Sequence, residues 1–351
     1  MKQRHVGETA HMQRQLKKHV ALMAVSLSQA GGRDGNILTK RGITMIEITN
    51  EKMEKLYKMQ TTLVKSYTTI SAIVIFVVLV ITRLLRAVSS GDHAALSAVF
   101  MVILAADVAG YFIIRKKVIP AGNGPSVMDA YKIMQNDFTS DRTVDLLYRK
   151  IGEAGNYADK TKLTLLLCDT YMMRGQINEA ISLLNSIDRS RFAEYPEAGM
   201  SFYDDTLSLY DLIGDNESVM RAYEDAVPFI EHCYEKNYLC CSTALNIVIL
   251  NEKARGNYRK ALDLKLMKNE FENKVNTFIK SEAVNSTKPL NRYIHGVVFC
   301  DTAELFYLCG DHFNAGKYLD IGGPMLAASP YMTEKANELS QKIKAALNSQ
   351  A

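Results

Sequence analysis

The sequence predicts an all-α protein in two parts: a two-span transmembrane helical hairpin, then an α-solenoid of helix pairs. Three observations predict it. Two apolar runs lie close together, at Ser66–Thr82 and Ala94–Ile114. From Ser126 onward, apolar residues recur at helical spacing and no run alternates with the period of a strand. Within that stretch one plan, helix then Gly turn then helix, occurs four times.

Composition narrows the class. The chain has 351 residues, 48% of them hydrophobic and 23% charged, which is too apolar for a disordered chain. Residues 1–44 hold eight basic and two acidic groups, and subtracting that +6 from the total of +4 leaves −2 on the rest. The charge is therefore that of a short basic tail, and nucleic acid is not the expected partner. His19–Ala30 follows Lys17-Lys18 and ends in small residues, as a cleaved secretory leader does. A short amphipathic helix, a disordered tail, and a native start at Met45 are the other readings of the same region.

Residues 45–65 read as a juxtamembrane helix leading into the first span. Ser66–Thr82 is 17 residues without a charge, and its centre, Ile70–Ile81, is apolar all round rather than on one face. It spans about 25 Å as a helix, and Arg83 lengthens it by snorkelling so that Leu84-Leu85 stay in lipid. The first span is thus expected over 66–85. The second covers 94–114, about 31 Å, and stops at Arg115-Lys116-Lys117. Four lysines precede the hairpin, four basic residues follow it, and its turn offers two, which puts both termini in the cytoplasm of a cell-membrane protein. Six cysteines without a disulfide-framework spacing agree. Asp107 is the only charge in the second span. It reads as an ion or proton relay or a polar contact to another membrane protein, or else as a partner for Ser or Thr of the first span or a side chain reaching toward the inner headgroups.

Residues 118–126 form a linker by composition (Pro120–Ser126, PAGNGPS), with Ser126 placed to cap the next helix. The helical region is 127–351. Residues 127–155 read as an added helical pair and Tyr331–Asn348 as a polar capping helix. Between them the turn glycines Gly175, Gly214, Gly256 and Gly310 are 39, 42 and 54 residues apart. Five residues after them stand Ala180, Val219, Ala261 and Ala315. Gly ends each first helix in a conformation that a β-carbon disfavours, and the small residue sits where two helices come closest. One such hairpin cannot bury its own apolar face, so hairpins stack.

These segments resemble tetratricopeptide repeats, most clearly in the first, where Tyr171 and the G-x-x-x-E-A-I-x-L-L run at Gly175–Leu184 match. The likeness covers about residues 160–325. It departs in the long spacings, in Val219 for the usual Ala, in Glu252 where an aromatic is expected, and in Pro228, expected to break or kink its helix. The resemblance implies a concave face built from first helices that binds an extended peptide or a helix. Matched positions are Lys162, Asp169, Met172, Asp204, Asp211, Asn246, Lys253, Glu304 and Tyr307. Their carboxylates, with Met172 and Tyr307, suit a basic or amphipathic segment. Of the Lys/Asn/Arg cradle that captures acidic chaperone tails, only Asn246 and scattered lysines are present.

No nucleotide, hydrolase or zincin motif occurs, so no enzyme activity, cofactor or metal is expected. His232, Cys233, Cys240 and Cys241 lie within ten residues but lack zinc-pair spacing, and read as a packing face. The sequence thus points to a membrane-anchored adaptor that works by raising the local concentration of a protein or peptide ligand beside the lipid bilayer. The rival reading is an accessory subunit of a transport or secretion complex, assembled through its spans. An enzyme with an unrecognised site is the third.

Overall fold

A computed structural model describes residues 47–88, 94–118, 125–278 and 288–350. The basic tail with its several readings, the turn between the two apolar helices, and most of the linker lie outside the described residues. Among the described residues there are thirteen α-helices and no strand. α1 (Asn50–Val88) and α2 (Ala94–Val118) carry the apolar runs. α3 (Pro125–Met134) and α4 (Asp141–Glu153) follow. Four pairs come next: α5 (Tyr157–Met173) with α6 (Ile177–Ser186), α7 (Pro196–Leu212) with α8 (Asn216–Cys233), α9 (Tyr238–Ala254) with α10 (Tyr258–Phe278), and α11 (Pro289–Leu308) with α12 (His312–Gly322). α13 (Pro330–Gln350) ends the chain.

The four pairs share one turn. Gly175, Gly214, Gly256 and Gly310 have φ of 72°, 76°, 79° and 80°. The glycine N–H donates to the carbonyl three residues back, and the next N–H to the carbonyl five back: Gln176 to Tyr171, Asp215 to Tyr210, Asn257 to Glu252 and Asp311 to Phe306. These are Schellman turns, which satisfy carbonyls that a helix end leaves open. The residue after the glycine then starts the next helix; Asp215 and Asp311 cap it by accepting the backbone N–H of Ser218 and Asn314. Ala180, Val219, Ala261 and Ala315 are fully buried where the two helices of each pair meet. Val219 fills that place without disturbing the pair.

Three local expectations change. α8 runs unbroken through Pro228. Both Pro228 and Glu224, whose carbonyl loses its donor, are exposed, so water satisfies what the ring removes. Ser126 is not a cap, because α3 already begins at Pro125. Glu252 is buried rather than replaced by an aromatic contact, and its carboxylate accepts from Asn257 Nδ2 and Lys260 Nζ, both at 2.8 Å.

The expected juxtamembrane helix and first span form one continuous rod, α1. Its lower turns are part of the domain core. Met53, Tyr57 and Gln60 are buried against α9 and α10. Gln60 Nε2 donates to the Lys236 carbonyl at 2.9 Å, and Lys52 Nζ reaches Glu235 at 2.7 Å. Lys274 pairs with Glu54 at 2.8 Å, and the rings of Tyr57 and Tyr238 meet edge-on at 5.0 Å. Higher up, the rod is bare. One helix, Asn50–Arg83, is long and apolar enough to cross a membrane, and none of its most apolar stretch is buried in the protein. The apolar stretch of α2 is shorter, Phe100–Tyr111. α2 packs along α1, where Asp107 accepts from Ser71 Oγ at 2.6 Å while Tyr67 donates to the Asp107 carbonyl at 2.8 Å. A β-carbon at Gly110 would collide with the Tyr67 hydroxyl, so this glycine admits the tyrosine. Of the readings of Asp107, the structure has the pairing with the first apolar helix.

First helices of neighbouring pairs touch, α5 with α7 and α7 with α9, and the third pair meets the fourth through α10 and α11. The fourth pair then returns to the beginning. Lys288 Nζ donates to Gln135 Oε1 at 2.6 Å, the rings of Tyr293 and Phe138 lie 5.1 Å apart, and the Ser329 hydroxyl bonds the Met173 carbonyl. Tyr331 packs over Gly175.

Candidate functional site

The inward positions of α5, α7, α9 and α11 form a polar seam. All nine matched residues are half-buried. On α7 and α9, Asn246 Nδ2 donates to Asp204 at 2.8 Å. Two turns further, Lys253 Nζ bridges Asp211 at 2.9 Å and Glu304 at 2.6 Å, tying the second, third and fourth pairs together. The seven-residue step from Asn246 to Lys253 keeps both on one helix face. Tyr307 lies with its ring 5.4 Å from His312. Lys162 and Met172 stay on α5 and join neither cluster. Asp107 is on α2, bonded to Ser71 of α1, and joins neither cluster.

The electrostatics divide the seam in two. Burial disfavours the charge of Lys253, yet Asp211 and Glu304 outweigh it and raise its pKa. Burial likewise raises Asp211, with Lys253 pulling the other way. On α5 and the middle of α7 the carboxylates have no cation in direct contact that outweighs their burial. Burial raises the Asp169 carboxyl to about 7, helped by the nearby Asp204. Burial raises Asp204 to about 6, with Asn246, Lys268 and Lys265 opposing. Asp205 is pushed well above the carboxylate range by burial and then by Asp169 and Asp204. Three carboxyls therefore share an end of the seam, where Asp204 disfavours the ionisation of Asp169 and both disfavour that of Asp205.

Sequence reasoning missed several members. Asp205 joins the acidic end, Lys265 pairs with Asp301 at 2.9 Å, and Glu272 accepts from Ser242 at 2.8 Å and Lys268 at 2.7 Å. The Asp204-Asp205 doublet inside an apolar helix was the available signal. Also unforeseen is a cavity of about 260 Å³ between α6, α7 and α8, with Leu184 and Leu209 in its wall and Arg189 and Arg221 at its rim.

The cysteine-rich stretch is packing. Cys233, Cys240 and Cys241 are buried, and burial raises their thiols to about 11, 12 and 11. Cys241 donates to the Tyr234 carbonyl. Among the described residues no group of three or more His, Cys, Asp or Glu has the arrangement to hold a metal ion. No protein-family model matches the chain, and no match is found among curated proteins.

Proposed function

We propose that this chain is a membrane-anchored adaptor: a two-span hairpin holds a tetratricopeptide-like helical domain on the cytoplasmic side, where its first-helix face binds a basic or amphipathic segment of a protein. The single observation behind it is the continuity of α1. One helix is buried in the helical domain at its base and bare and apolar above. The bare part suits lipid, and the domain is then mounted on the span rather than hung from it. The ligand chemistry follows from the acidic end of the seam, where Asp169, Asp204 and Asp205 are under-compensated and a cation lowers the cost of their burial.

The test is binding of a fluorescent Lys/Leu amphipathic peptide to the full chain in nanodiscs. A charge-reversed Glu/Leu peptide is the control. The basic peptide is expected to bind, and Asp169→Asn with Asp204→Asn to weaken it about ten-fold, a loss on the scale of one or two charge-assisted contacts. Equal binding of both peptides, or no effect of the double variant, overturns the ligand assignment. The accessory-subunit reading has less support, because Asp107 is satisfied by Ser71 within the hairpin. Loss of a membrane partner on Asp107→Asn, with seam variants silent, would favour it.

A further inference from the structure

The α8–α9 turn, Tyr234–Asn237, is fastened to α1 at a definite height. Gln60 bonds the Lys236 carbonyl, Lys52 holds Glu235, and Tyr57 meets Tyr238. Six residues of helical rise, about 9 Å, separate Gln60 from Ser66. A hydrocarbon core of about 30 Å needs about 20 residues, roughly three more than the uncharged run, so its edge falls within a turn of Lys65. The headgroup layer adds about 5–7 Å on each side. Gln60, and with it the α8–α9 turn, is then at the outer edge of the headgroup layer, within reach of a lysine side chain.

The partner helix agrees. Asp107 sits between Tyr67 and Ser71, level with about residue 69. α2 runs the other way, so equal rise puts Arg115–Lys117 level with roughly residues 59–61. Lys58 and Arg115–Lys117 therefore lie within about a turn of Gln60, level with the turn that carries Lys236, and Lys65 lies about 7.5 Å nearer the apolar core. Glu235, the acidic group of the turn, is already held by Lys52, which keeps its carboxyl below the usual range. Just past the turn, Leu239 is 49% exposed beside the buried Cys240.

We propose that the α8–α9 turn is the foot on which the helical domain stands on the bilayer, with Lys236 reaching anionic lipid headgroups and Leu239 beside it at the outer face of the headgroup layer. This rests on the membrane-anchored reading and adds a second lipid contact, which fixes the tilt of the domain. Basic residues at this height are attracted to an anionic leaflet within a Debye length.

The chain contains no tryptophan, so a single introduced one reports alone. Leu239→Trp, Phe76→Trp and Phe313→Trp all replace exposed side chains. Each full-length variant is reconstituted in nanodiscs of phosphatidylcholine with or without phosphatidylglycerol. The quenchers are lipids carrying a nitroxide at the headgroup or bromine on the acyl chain. Leu239→Trp is expected to be quenched from the headgroup about two-fold more strongly than Phe313→Trp, more in the anionic disc, and less once Lys236→Glu is added. Quenching of Leu239→Trp no greater than that of Phe313→Trp, while acyl bromine quenches Phe76→Trp, overturns the foot and leaves the anchor standing. Equal quenching in neutral and anionic discs overturns the role given to Lys236. If Phe76→Trp is not quenched by acyl bromine, the anchor reading itself fails, and the foot with it.

Discussion

The two halves of α1 are one helix in two settings. Residues 50–61 bury a stripe, Met53, Tyr57 and Gln60, and keep Lys55 and Lys58 in water. Residues 66–82 present apolar side chains around the whole circumference, with Phe76 66% and Ile70 59% exposed. Neither half differs in backbone. The difference lies in how apolar residues are spread around the axis, and that spread decides whether a helix seeks one protein face or an apolar surround. A rod that changes setting without a break transmits its orientation across the boundary.

The comparison is most sharply broken at Met53. It has no exposed surface, so Met53→Asp buries an unpartnered carboxylate and is expected to cost about 3–5 kcal/mol. Urea unfolding of the full chain in detergent measures it, and protease sensitivity at 48–66 reports undocking. Phe76→Ser, in the bare half, is expected to leave that unfolding midpoint within about 0.5 kcal/mol of the parent. Equal effects at both positions would erase the contrast.

Next in size is the shared turn. Gly256→Ala places a β-carbon at positive φ in open space and is expected to cost about 1–2 kcal/mol. Gly175→Ala costs more, because its β-carbon also meets the Tyr331 ring. Matching losses at the two sites would mean that Tyr331 yields freely.

The acidic end supplies a pH effect. With Asp169 raised to about 7 and Asp204 to about 6, the folded state holds protons there that the unfolded chain releases above the ordinary carboxylate range. Stability contributed by these groups is therefore present at low pH and lost as pH rises through about 6–7. Asp169→Asn is expected to raise Tm by a few degrees near pH 8 and by less near pH 5, read by calorimetry. A gain that does not shrink on acidification would assign the effect to packing. The smallest effect is in the hairpin: Ser71→Ala is expected to cost about 0.5–1 kcal/mol in detergent titrations, the usual size of a helix–helix hydrogen bond in apolar surroundings.

Local features were the legible ones. Helix placement, the four glycine turns and the small residue five positions on could be read because each depends on neighbours within a few residues. The pairing of Asp107 with a Ser or Thr of the first apolar helix was one of four readings, and the structure has Ser71 in that place, with Tyr67 beside it. Long-range choices were hidden. The stripe of Met53, Tyr57 and Gln60 was visible at helical spacing, but not that α9 and α10 receive it. The seam positions were assigned by analogy, and the structure joins five of them, Asp204, Asn246, Asp211, Lys253 and Glu304, into bonded clusters that no spacing foretold. The break expected at Pro228 does not occur, and α8 carries the proline at an exposed position.

The return of the fourth pair has a consequence for how such a chain can change over time. Stacked hairpins ordinarily lengthen or shorten by duplication and loss, since each unit meets only its neighbours. Here Lys288 clasps Gln135 and Ser329 clasps Met173, so the last unit is measured against the first. A fifth hairpin inserted between them would open both clasps at once. The number of units is thereby counted by the architecture, and variation is steered into the length of helices and connections: α10 and α11 together are six residues longer than α8 and α9, and the connection between them takes up the other six residues of the wider gap between Gly256 and Gly310.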